Sequence, residues 1–209
     1  MITRMAKRSN SSVFFTTLLR LVLLSTMGNE LKSQEIPYQE IPEYPEDYTS
    51  GNVVSRMIDG LGFRYYWASE GLTPTDLAYK PSEDGRPVLE ILQHIYGMSE
   101  MILNAPTATP NVRPADFSSI PYEILREKTL RNLKQASEAM QGKTAEEFET
   151  FQVVFQNGDN STAFPYWNLI NGMLSDCIYH AGQITMLRRA SGNPINPKVS
   201  VFLGKVRSN

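Results

Sequence analysis

The stretch PYWNLINGMLSDCIYHAGQITMLRRASGNP (165–194) holds a long helix between two stops and, inside it, an acid and a histidine four residues apart. Pro165 suits the start of a helix, because proline's fixed φ is helical and its missing N–H is not needed in the first turn. Gly192-Asn193-Pro194 ends the helix near Ser191. Residues four apart on a helix share one face, so Asp176 and His180 point the same way.

Working outward, residues 144–164 alternate in part around Phe151, Val153 and Phe155 and contain the turn tetrapeptide NGDN (157–160). They predict an irregular loop or a small hairpin before the last helix. Pro121 to about Gln141 is rich in Leu, Lys, Glu and Ala and is stopped by Gly142, a further helix, whereas Pro106, Pro110 and Pro114 forbid helix in the loop ahead of it. Pro87 to about Asn104 carries the apolar stripe Val88, Ile91, Ile95, Met98 and Ile102. Gly51 to about Glu70 carries Val54, Ile58, Leu61 and Tyr65 and is closed by Gly71, and residues 72–86 are turn-forming. Four helices of roughly 18 to 26 residues with longish connections predict an all-α protein, a four-helix bundle.

The N-terminus reads differently. Arg4, Lys7 and Arg8 precede a mostly apolar run from Val13 to Gly28, the layout of a cleavable secretory leader ending near Ser33-Gln34, although Arg20 interrupts the run. An uncleaved anchor and a cytosolic chain with a misassigned start are the alternatives. Residues 34–50, with prolines at 37, 42 and 45, predict an extended linker, and residues 51–209 the helical domain. Export to the periplasm or medium follows from the leader, with no stable membrane insertion after cleavage. Without residues 1–33 the chain has 15 basic and 21 acidic residues, a net charge of −6. Such an acidic domain is a poor partner for a phosphate backbone, so nucleic acid is not expected. Cys177 is the only cysteine, which excludes an internal disulfide and predicts a small core residue, with a reactive thiol as the alternative.

The chain has only two histidines, each inside the apolar run of a long helix. Asp176 and His180 can give two ligands to one ion, and His94 from a facing helix a third. Imidazole with carboxylate suits zinc, nickel, iron or manganese, and three protein ligands leave positions open for water or substrate. The same residues also fit a metal-free core in which carboxylates fix histidine tautomers. Glu90, four residues before His94, is a candidate fourth ligand or general base, or a solvent-facing carboxylate. Gln183 is a candidate for bonding a ligand or substrate, or for an interhelical hydrogen bond. Tyr96, Trp167 and Tyr179 are candidates for the cavity wall or the core, and Asn171 for the pocket mouth. Arg188 and Arg189 read as solvated charges at a helix C-terminus, with an anionic-substrate role as the alternative.

LAYKPSEDGRPVLEILQHIYGMSE (77–100) and SDCIYHAGQITMLRRASGNPI (175–195) resemble the DinB-like, YfiT-like superfamily of metal-dependent helical bundles. The first segment resembles the phrase leading into that superfamily's first metal histidine, and the second its last-helix pattern His-x3-His-x-x-Gln. The resemblance implies that His94, Asp176 and His180 are the ligands and that Gln183 is the glutamine following them. Asp176 departs from the pattern, standing where many relatives have histidine, which leaves the identity of the ion open. The functions implied are a metal-dependent hydrolase or a thiol-dependent transferase acting on a small molecule, and bundles of this kind often pair as homodimers. A non-catalytic metal- or ligand-binding bundle, and a purely structural bundle, are the competing expectations.

Overall fold

A computed structural model describes residues 35–208, and the account below concerns the unit that begins at Ile36. The leader expected over residues 1–33 lies outside the described residues. Among the described residues no helix is long and apolar enough to cross a membrane.

Helix α1 (Ser50–Ser69) starts at Thr49, whose Oγ1 accepts the Asn52 N–H at 3.4 Å, and it buries Val54, Ile58, Leu61 and Tyr65. The turn-forming stretch after it contains one short helix, α2 (Pro74–Ala78), opened by a reciprocal capping box between Thr73 and Asp76. Helix α3 (Val88–Asn104) follows, and a tight turn at Ala105–Thr107 leads to strand β1 (Asn111–Arg113). Helix α4 (Tyr122–Met140) and the short α5 (Ala145–Phe148) precede strands β2 (Gln152–Asn157) and β3 (Asn160–Pro165). The last helical run has three parts: α6 (Tyr166–Leu169), a π-turn (Ile170–Leu174) and α7 (Ser175–Ala190). A small hairpin of β4 (Val199–Ser200) and β5 (Lys205–Val206) ends the described chain.

The expectation of an all-α, DinB-like four-helix bundle is therefore corrected. The long helices lie close to the predicted spans, but the topology is mixed, with a three-stranded sheet β1-β2-β3 and a two-stranded sheet β4-β5. Strand β2 pairs antiparallel with β3 across the loop Gly158-Asp159, where Gly158 takes a φ of +56° that suits glycine. Strand β1 pairs parallel with β2, in the register Asn111↔Phe155 and Arg113↔Asn157. A parallel pair needs a long connection, and here the connection contains α4. The Asn111 side chain holds this pairing, accepting from Asn104 Nδ2 at 2.9 Å and donating to the Val154 carbonyl at 2.9 Å.

Helix α4 packs against both α1 and α3, and α7 packs against the same two helices. Their shared core includes Ile58, Leu61 and Tyr65 of α1, Leu92, Ile95 and Ile102 of α3, Leu130 and Leu133 of α4, and Cys177, Ala181 and Ile184 of α7. The Pro-rich segment after Ile36 forms neither helix nor strand before Ser50 and docks on α1. Tyr38 is buried and donates to Asp59 Oδ1 at 2.9 Å, while the Trp67 indole N–H reaches the Gln39 carbonyl at 3.2 Å. A Cβ on Gly62 would overlap the Tyr38 ring, so a glycine there is what lets the ring lie on the helix.

Arg188 corrects the reading of a solvated charge: it is buried. Its Nη1 donates to the carbonyls of Trp67, Ala68 and Glu70 at 2.8–3.1 Å, the orphan acceptors at the end of α1, and its Nε to the Asn193 carbonyl at 2.7 Å. Arg189 is exposed. Buried Asp76 joins the same corner, accepting from Thr73, Ser191 and Asn193. Burial opposes its ionisation, but the hydrogen bonds from Asn193, Ser191 and Thr73 outweigh burial and hold its carboxyl below the usual carboxylate range. A carboxyl depressed on folding stabilises the native state above its unfolded pKa, near 4, and loses that contribution as pH falls toward the folded value. Asp76→Asn is expected to cost about 2 kcal/mol at pH 7. In urea melts the gap from the parent protein should narrow as pH falls below about 4.

Candidate metal centre

Helix α3 buries Ile91 and Ile95 in the core, and His94 sits at the edge of that stripe with its side chain 42% exposed. On α7 the core takes Cys177, Ala181 and Ile184, which turns Asp176 and His180 toward α3. Asp176 is as exposed as His94, whereas the His180 side chain is only 11% exposed, so the cluster is sealed at His180 and open at His94 and Asp176.

The three side chains meet. Nε2 of His94 lies 3.3 Å from Asp176 Oδ2, Nε2 of His180 lies 3.4 Å from the same oxygen, and the imidazole rings are edge to face with centroids 5.0 Å apart. All three donor atoms fall within 4.8 Å of one another. Two ligands each about 2.1 Å from an ion at a tetrahedral angle stand about 3.4 Å apart, which is the spacing of both imidazoles from the carboxylate.

The tautomer of His180 strengthens the fit. Its Nδ1 lies 2.6 Å from Gln183 Oε1, an acceptor that suits the tautomer with the proton on Nδ1. Nε2 then presents a lone pair to a carboxylate oxygen. Two acceptors facing each other at 3.4 Å repel unless a proton or a cation lies between them. This His/Asp/His cluster can therefore coordinate a divalent metal ion, with Gln183 orienting one ligand from behind.

The cluster opens onto a cleft of about 540 Å³. Its walls come from α3 (His94, Met98, Met101), from the sheet (Arg113, Phe155), from the π-turn (Asn171, Gly172, Met173) and from the start of α7 (Ser175, Asp176, Tyr179). The π-turn widens the helix just before the ligands. The Ser175 N–H bonds back to the Ile170 carbonyl five residues earlier, and the Ser175 hydroxyl donates to the same oxygen at 2.7 Å.

Among the other candidates, Asn171 and Tyr179 line the cleft. Trp167 is exposed and stands outside the cleft wall, and Tyr96 is buried and donates to Glu100 at 2.6 Å. Glu90 is exposed and belongs neither to the cluster nor to the cleft wall. Cys177 is fully buried, and burial together with the neighbouring Asp176 charge pushes its thiol above its usual range, so it serves as core. Arg113, Met98, Met101, Phe155 and Met173 are wall residues that the sequence reading did not assign to the site. Met98 stood in a helix stripe, and the strand carrying Arg113 has no local signal.

Comparisons with family models, with curated proteins and with solved structures find no match to this chain. Gln183→Leu is expected to weaken metal binding by about 10- to 100-fold through loss of the His180 tautomer lock. His180→Ala should remove stoichiometric binding. Calorimetric titration of both variants with zinc, beside the parent protein, checks the order.

Proposed function

We propose that this protein is a metal-dependent hydrolase of small molecules, with His94, Asp176 and His180 holding one divalent ion at the head of the cleft. The observation that carries the reading is the convergence of His94, Asp176 and His180, whose donor atoms lie within 4.8 Å of one another where His94 and Asp176 line the cleft. A divalent ion held there supplies Lewis acidity toward water or a substrate oxygen. With the His180 proton held on the far nitrogen by Gln183, Nε2 is the atom that would bind the ion. Asp176 supplies the single negative charge of the ligand set and, as a hard donor, favours zinc, iron or manganese over copper. The resemblance of residues 77–100 and 175–195 to DinB-like sequences supports the same ligand set.

Hydrolysis is preferred to thiol transfer because a cleaved leader over residues 1–33 sends the chain out of the thiol-rich cytosol. Among the described residues Asp176 is the sole carboxylate on the cleft wall, and Glu90 is not part of that wall. The absence of a second carboxylate there favours one alternative, a protein that binds metal and small ligand without turnover.

Elemental analysis of protein purified without a histidine tag should give close to one divalent ion per chain, abolished in His94→Ala and His180→Ala. Metal-loaded protein should then hydrolyse members of an ester, amide and lactone panel in a metal-dependent way. Stoichiometric metal with background activity throughout selects the binding protein, and no metal uptake after reconstitution removes both readings.

A further inference from the structure

Arg113 has no partner that accounts for its charge. It is part-buried on β1, its Nη2 lies 3.6 Å from the Met101 sulfur, and its guanidinium carbon lies 5.6 Å from the centre of the Phe155 ring. A thioether and an aromatic ring leave most of its five N–H donors unused. The carboxylates in the neighbouring grooves have other partners. Glu100 accepts from the Tyr96 hydroxyl at 2.6 Å, and Asp116 accepts from the Ser118 N–H at 2.8 Å. Among the described residues no carboxylate forms an ion pair with Arg113. Among the described residues it is also the one Lys or Arg on the wall of the metal-site cleft.

The position is held. Asn111, on the same face of β1, is locked by hydrogen bonds to Asn104 and Val154, and the parallel register sets Arg113 opposite Asn157 of β2. A guanidinium is planar and cannot lose its proton, and its fork matches the two oxygens of a carboxylate. Arg113 touches Met101 and Phe155, and the same cleft wall carries the apolar side chains of Met98 and Met173 beside the polar Asn171 and Ser175. Methionines line surfaces that adapt to varied apolar shapes.

We propose that Arg113 is a specificity residue that binds the carboxylate of a small organic acid whose apolar body lies along Met98, Met101 and Phe155, toward His94 and Asp176. The inference rests on reading the cleft as the substrate site. A divalent ion on two neutral imidazoles and one carboxylate keeps one net positive charge, which adds to the attraction for an anion.

The test uses the full chain, metal-free and zinc-loaded, and measures binding of phenylpropionate and its neutral amide by calorimetry or ligand-observed NMR. The parent protein should favour the acid by about tenfold or more. In the metal-free arm Arg113→Gln should bring the acid-to-amide ratio close to one, and in the zinc-loaded arm it should lower the ratio, while zinc uptake and amide affinity stay in place; Arg113→Lys should keep part of the preference. A ratio unchanged in Arg113→Gln, or no preference for the acid in the parent protein in either metal state, overturns the proposal. Failure of the metal reading shows separately, as absent zinc uptake, because the metal-free arm still measures the contribution of Arg113.

Discussion

The rotation of α7 about its own axis is the constraint on which the site depends. Cys177, Ala181 and Ile184 are buried without exposure to solvent beyond about the first per cent, so the helix has one way to face the core. Asp176 and His180 flank that stripe, and a turn of one residue, about 100°, would carry both away from His94. The axial position of α7 is set at its other end. There Arg188 fills the carbonyl acceptors that close α1, and removing it would leave several buried acceptors unpaired. Packing and capping thus place two ligands without any help from the ligands themselves.

The sheet completes what the helices begin. Helices α3 and α7 supply all three donor atoms, but two of them alone would leave the cleft open on its third side. Strands β1 and β2 bring Arg113 and Phe155 to that side. The β2–β3 hairpin was legible, because Val153, Phe155 and the NGDN turn are local signals. Strand β1 was not, since three residues between prolines carry no periodicity and become a strand only by pairing with a segment more than forty residues later. The all-α expectation failed at that long-range pairing, whereas the long helices were readable from stripes such as Val54, Ile58, Leu61 and Tyr65.

The site divides along the same line. Asp176 and His180 were paired by helix spacing, which reports direction, whereas spacing could not show that the helix of His94 faces theirs, and that step came from the resemblance. Gln183 was read as bonding a ligand or substrate, or a neighbouring helix, and it lies against His180 on its own helix. Arg188 was misread because a charged residue near a helix end is usually solvated, and only the tertiary fold shows the carbonyls that bury it. The π-turn was invisible as well. Ile170 to Leu174 has ordinary helical composition, and the wider turn is stabilised by the Ser175 hydroxyl on the Ile170 carbonyl.

Pro165 has a double duty: it is the last residue of β3 and the cap of α6. No loop residue separates strand from helix, and the pyrrolidine ring fixes φ at the junction. The hairpin and the first turn of the helix are therefore mechanically joined. The first irregular backbone after that junction is Ile170–Leu174, directly before the ligand-bearing helix, so the sheet wall of the cleft and the Asp176–His180 pair belong to one unbroken run of backbone.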